Sequence, residues 1–153
     1  MIDIGGINMG VFSAMNVAAT GMTAQQLRMD VIAENIANAS TTRTENGEAY
    51  RRKMLVFSEK NTTSFDHVLH GYLNQYQPNG VRVSGIVEDQ SDLRLVYEPD
   101  NPDANEDGYV EYPNVDTVTE MTNLIDSSRA YEASVTSFNA AKSMAMKGLE
   151  LFQ

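Results

Sequence analysis

The sequence predicts an α+β protein: long N- and C-terminal helices form a coiled-coil-like inner layer, and a small β-rich domain lies between them. Three features of the 153 residues predict it. All four prolines (Pro78, Pro99, Pro102, Pro113) fall between residues 50 and 113, and so do eight of the twelve aromatic residues. Both ends lack proline, which would break a helix interior, and both carry apolar residues at alternating spacings of three and four. The middle instead holds short β-branched and aromatic runs separated by Gly, Asn, Asp and Ser.

The first helix is expected from Val11 to about Asn38. Phe12, Met15, Ala19, Met22, Gln26, Met29, Ala33 and Ile36 form a heptad seam with one polar member. Val17, Ala24, Leu27 and Val31 lie on the opposite side at 100° per residue, so the helix has two apolar faces. Asn35 and Asn38, followed by Ser40-Thr41-Thr42, supply a C-terminal stop, because Asn tolerates the left-handed cap conformation.

Strands are expected over Tyr50 to Phe57, Gly80 to Val87 and Asp92 to Tyr97, with a further short strand over Tyr109 to Tyr112. Val81, Val83 and Val87 share one parity, as do Leu93, Leu95 and Tyr97. Glu88-Asp89-Gln90-Ser91 reads as a hairpin connection, and residues 58–79 as an extended polar loop.

The second helix is expected to start after Pro113, where Thr117-Val118-Thr119-Glu120 has the form of a capping box, and to run to Phe152. Its main stripe is Met121, Leu124, Ser128, Tyr131, Val135, Phe138, Lys142, Ala145, Leu149 and Phe152. Ala130, Ala133, Ser137, Ala140 and Met144 form an opposite face small enough for close helix approach. The implied organisation is an N-terminal helical segment (1–42), a β-rich middle domain (43–113) and a C-terminal helix (114–153), with the two ends forming one discontinuous helical domain.

Two long helices with two apolar faces each cannot cover all four faces by packing once on each other, and the sequence offers no further helix. Intermolecular contacts are the remaining cover, so the chain reads as an assembling protein. The positions singled out for packing are Phe12, Met15, Met22, Met29 and Ile36 on the first helix. On the second they are Met121, Leu124, Tyr131, Val135, Phe138 and Leu149.

Composition narrows the function. Eleven Lys and Arg against 21 Asp and Glu give a net charge of −10, which argues against nucleic-acid binding and against a polybasic membrane dock. No apolar run is long enough for membrane insertion. The absence of cysteine removes disulfides, thiolate metal sites and thiol nucleophiles together. The N-terminus has neither the positive start nor the apolar core of a secretory signal, so any export is expected to follow another route.

Asp103-Ala104-Asn105-Glu106-Asp107-Gly108 reproduces the first six positions of an EF-hand loop. The twelfth position is Asn114, which lacks the charge and denticity of the required Glu, and Pro99, Pro102 and Pro113 deny the loop its flanking helices. An Asx/Gly turn before Tyr109 is the simpler reading, with a calcium module as the alternative. His67 and His70 lack a third ligand and read as solvated. No catalytic, cofactor-binding or metal residues are assigned, and no enzyme is expected.

The basic cluster Arg43, Arg51, Arg52, Lys53 faces nine carboxylates between Glu88 and Glu111, with Arg94 alone among them. A charge match between the two regions, within or across subunits, competes with plain solvation of both. Arg28 and Arg129 are likewise either inter-helix partners of carboxylates or solvated arginines.

Three segments carry a family resemblance. Gly21 to Met29 and Asn35 to Thr42, with Gly21, Arg28, Asn35, Asn38 and Thr41, are similar to the terminal signature of flagellar rod and hook proteins. Tyr97-Glu98-Pro99 through Pro102 to Val110, with Asn105 and Gly108, resembles a proximal-rod member. Glu120-Met121 through Arg129-Ala130-Tyr131-Glu132-Ala133 resembles the C-terminal axial signature, although Ser134 stands where Asn is expected. The resemblance implies a structural subunit of the basal-body rod, exported through the flagellar type III apparatus without a cleaved signal. Its partners would be other copies of itself and other rod proteins, in a helical rod that crosses the periplasm, transmits torque and surrounds the export channel. A hook or distal-rod relative is the alternative within the family.

Overall fold

The computed structural model describes residues 4–60 and 79–150, with side chains from residue 10 onward. Its described elements are helix α1 (Ile4–Ala37), strands β1 (Lys53–Glu59), β2 (Val81–Glu88), β3 (Arg94–Tyr97) and β4 (Tyr109–Tyr112), and helix α2 (Thr117–Glu150). This is the expected α+β order. Helix α1 starts earlier than periodicity suggests, since extending a formed helix through Gly5, Gly6 and Gly10 costs only about 1 kcal/mol per glycine. Phe152, His67 and His70 lie outside the described residues.

The strands form two sheets, β1 with β2 and β3 with β4. The expected hairpin across Glu88–Ser91 does not form, because β2 and β3 belong to different sheets. Two side chains and one backbone group distant in sequence hold that connection instead. Arg51 Nη1 donates to the carbonyls of Asp89 and Ser91 at 3.4 and 3.1 Å, and Asn114 Nδ2 donates to the Asp89 carbonyl at 3.1 Å. The Asp89 N–H donates to the Arg52 carbonyl at 2.8 Å.

Two compact units emerge, one within Met1–Gln26, Phe57–Ser84 and Ser128–Gln153, the other within Leu27–Val56 and Gly85–Ser127. In the first, the helical segments approach through small residues. A Cβ added at Gly21 would lie 3.2 Å from Ser134 Oγ, so a side chain there would require Ser134 to give by a few tenths of an ångström. Gly80 adopts φ +78°, which favours glycine, and a Cβ there would collide with Thr20 Oγ1. Val81 N–H donates to that same oxygen at 3.2 Å.

In the second unit, α2 begins on an aspartate cap. Asp116 accepts from the Thr119 hydroxyl at 2.9 Å and from the Val118 N–H at 3.0 Å, bonds that, the hydroxyl's first, hold its carboxyl below the usual range. The expected box starting at Thr117 is therefore displaced by one residue, and Glu120 is released for another use. At the end of α1, Asn38 stops the helix by donating from Nδ2 to the Glu34 carbonyl at 3.0 Å. Asn35, expected to share that role, is buried inside the unit.

Candidate functional site

The most elaborate polar arrangement among the described residues sits in the second unit and centres on Asn35, which is fully buried. Its Oδ1 accepts from the Tyr50 hydroxyl and from the Lys53 N–H, each at 2.9 Å. Its Nδ2 donates to the Lys53 carbonyl at 2.9 Å and to Glu120 Oε2 at 3.1 Å. Two donors and two acceptor sites exhaust what an asparagine amide offers, so the group is satisfied without water. One side chain of α1 thereby fixes the entry of β1 and the first turns of α2.

Glu120 is 1% exposed, and a carboxylate so buried needs compensating charge. Arg52 supplies it from Nε at 3.0 Å and Nη2 at 2.8 Å, both to Oε1, and Asn123 adds a third donor to the same oxygen at 3.2 Å. Arg52 Nη1 also lies 3.6 Å from Asp89. Bonds from Ser91 first, then the Arg52 charge, hold the Asp89 carboxyl below its ordinary value. Burial, reinforced by the negative charges of Glu34, Glu120 and Glu88, pushes the Tyr50 phenol up from 10.0 to about 12.

The charge match between the basic cluster and the acidic middle forms in part within the chain. Arg43 pairs with Asp103 at 3.4 Å and Arg52 with Asp89, whereas Lys53 pairs at 2.6 Å with Glu34 of α1, outside that acidic stretch. Asp103 also accepts from the Thr42 hydroxyl at 2.8 Å. The 103–108 segment is the Asx/Gly turn of the simpler reading. Asn105 Oδ1 accepts from the N–H groups of Asp107 and Tyr109 at 3.0 and 2.8 Å, and Gly108 takes φ +82°. A Cβ there would meet the Tyr97 ring at 2.9 Å and Pro99 Cβ at 3.3 Å. Pro102 is exposed. Thr41 donates from its hydroxyl to Asn38 at 3.2 Å and accepts at its carbonyl from the Tyr50 N–H at 3.1 Å.

Sequence reasoning missed Glu120 and Arg52 as a pair. A signal existed: Glu120, Leu124, Ser127, Tyr131, Ser134, Phe138 and Ala141 are spaced by alternating fours and threes, and Glu120, Ser127 and Ala141 are buried. A purely apolar stripe search passes over such a seam. On α1 the buried positions are Ala24, Val31, Ile32 and Asn35; all but Ile32, which falls between the two faces, lie on the side of the second apolar set.

Of the positions singled out for packing, Leu124, Tyr131 and Phe138 belong to this seam, and none of the eleven is fully buried. Phe12, Met121 and Leu149 are exposed, and Met15, Met22, Met29, Ile36, Leu124, Tyr131, Val135 and Phe138 are half-buried. Exposed Arg129 and Glu132 and half-buried Arg28 make no ion pair among the described residues. In the first unit an open groove of about 620 Å³ is lined by Ala14, Val17, Gly21, Val81, Ala133 and Ser134 among others. No described helix is long and apolar enough to cross a membrane, and no group of three or more His, Asp or Glu among the described residues could hold a metal ion.

Two family matches put this chain in the flagellar axial class. Residues 15–43 match the family described as "Flagella basal body rod protein", and residues 106–151 match "Flagellar basal body rod FlgEFG protein C-terminal". Within that class the chain belongs to the flagellar basal-body rod protein FlgC family. It is 49% identical over 149 residues to FlgC of Bacillus subtilis, covering 94% of this chain and 99% of that protein. It is 46% identical over 151 residues to FlgC of Borreliella burgdorferi, with 95% and 99% covered. To FlgC of Escherichia coli O6:H1 it is 38% identical over 145 residues, with 95% and 100% covered.

Proposed function

We propose that this chain is a structural, non-enzymatic subunit of the proximal rod of the flagellar basal body. It assembles with other rod proteins and with copies of itself into a helical tube that transmits torque and surrounds the export channel. The observation that carries the reading is near-full-length identity with FlgC proteins in a chain whose helices leave Phe12, Met121, Met144, Met146 and Leu149 exposed. In the assembled rod, residues 1–42 and 114–153 form a discontinuous, coiled-coil-like inner layer and residues 43–113 an outer layer. The two-faced helices let each subunit touch several neighbours, and contacts that do not close extend as a helix.

Delivery is through the flagellar type III apparatus without a cleaved signal, which suits a chain with no cysteine to oxidise outside the cytoplasm. Quantitative mass spectrometry of purified basal bodies tests the reading. The peptide Val83 to Arg94 is expected at a level comparable with other rod components, and its absence there would remove the rod assignment.

A further inference from the structure

The β3–β4 ribbon has two unlike faces. Its register places Arg94 opposite Tyr112, Leu95 opposite Glu111, Val96 opposite Val110 and Tyr97 opposite Tyr109. Alternation therefore puts Val96 and Val110 on one face, and Leu95, Tyr97, Tyr109 and Glu111 on the other. Val110 is buried, so the first face is the covered one. Leu95 is 60% and Tyr97 63% exposed, and the Tyr97 and Tyr109 rings meet edge to face with centroids 5.3 Å apart. The same segment carries Asp100, Glu106, Asp107 and Glu111, all exposed and none in an ion pair among the described residues. An outward aromatic patch amid unpaired negative charge fits a partner that is apolar at its centre and cationic at its rim.

The last turns of α2 have that character. Lys142, Met146 and Leu149 recur at i, i+4 and i+7 and so form one stripe. Met146 is 55% and Leu149 66% exposed. Lys142 and Lys147 are exposed and unpaired among the described residues, and no acidic residue lies between Glu132 and Glu150. The other basic concentration is already engaged, Arg43, Arg52 and Lys53 by carboxylates and Arg51 by backbone carbonyls.

Building on the self-assembly reading above, we propose that the Leu95–Tyr97–Tyr109 face of one copy docks on the Lys142–Met146–Leu149 stripe of a second copy. The two surfaces differ, so the contact is heterologous: every added copy presents a fresh ribbon and a fresh stripe, and growth need not close.

Because the full chain has no cysteine, introduced thiols are its only ones. Tyr97→Cys and Met146→Cys would be made on separate full-length chains, mixed and oxidised with copper phenanthroline. The exposed Asp30→Cys on α1 replaces Met146→Cys as control, and sedimentation of the unmodified chain is followed in parallel. The expected result is a mixed disulfide dimer formed at least about ten-fold faster than with the control. It should be lost when the Met146→Cys chain also carries Lys142→Glu and Lys147→Glu, and regained when the Tyr97→Cys chain carries Asp107→Lys and Glu111→Lys. Self-association by sedimentation without trapping above the control overturns this contact and leaves the self-assembly reading in place. No self-association at any concentration overturns both.

Discussion

Asn35 and Glu120 stand 85 residues apart and meet at 3.1 Å, the amide Nδ2 donating to the carboxylate Oε2. The contact sits where the N-terminal signature, the entry to β1 and the start of α2 converge. Its chemistry is directional. Asn35→Asp keeps the shape but turns both donors into acceptors, facing the Lys53 carbonyl and the Glu120 carboxylate. The expected loss at pH 7 is about 3 kcal/mol or more, the scale of an unpaired buried charge. Urea unfolding of the purified chain measures it, and a loss below about 1 kcal/mol would mean that the junction is not a principal fastening.

Tyr50 makes the junction sensitive to alkali. Its phenol titrates near 10.0 when unfolded and at about 12 when folded, because burial and nearby carboxylates disfavour the phenolate. A folded value above the unfolded one means that this stability is complete below pH 10 and is lost as pH rises towards 12. The loss is roughly 2 kcal/mol. Tyr50→Phe, which also forfeits the bond to Asn35, should be less stable at pH 8 and should lose less on going to pH 12. Parallel slopes for the two proteins in urea midpoints between pH 8 and 12 would place the titration elsewhere.

Gly80 and Thr20 form a coupled pair in the other unit. Gly80→Ala introduces both a positive-φ alanine, costing about 1–2 kcal/mol, and a clash with Thr20 Oγ1. Thr20→Ala removes the clashing oxygen while forfeiting its bonds to the Val17 carbonyl and the Val81 N–H. The double variant should therefore lose less than the sum of the two single losses, by about 1 kcal/mol or more, which a double-mutant cycle in urea reads directly. Simple additivity would show that Thr20 yields to the new methyl at little cost.

The helices were legible because a 3.6-residue period persists over many turns, and Tyr109–Tyr112 because a turn built on Asn105 and Gly108 announces it. Strand pairing was not. Glu88–Ser91 has the composition of a hairpin turn, yet Arg51, Arg52 and Asn114 decide its path, and no local pattern connects residue 52 or 114 to residue 89. The buried seam of α2 escaped for a different reason: its most buried positions are Glu120, Ser127 and Ala141, and Arg52, Asn35 and Asn123 make a glutamate tolerable there. Apolar side chains at regular spacing show where a helix can be covered, not whether its own chain or a neighbour covers it.

That ambiguity can be resolved by comparing truncations on the two kinds of face. Val31 is buried, and Val31→Ala should lower the stability of the isolated chain by about 1–3 kcal/mol through lost burial and a residual cavity. Phe12, Met121 and Leu149 are exposed, so Phe12→Ala, Met121→Ala and Leu149→Ala should each shift the urea midpoint by no more than the equivalent of about 0.5 kcal/mol. If the exposed faces are covered by neighbouring subunits, the same three variants should still be made at normal levels yet enter basal bodies poorly. Val31→Ala should enter in proportion to its folded fraction. Quantitative mass spectrometry of basal bodies beside whole-cell levels separates the two effects. Normal incorporation of all three exposed-face variants would show that these side chains contribute little to assembly and that the contacts lie on the half-buried positions instead.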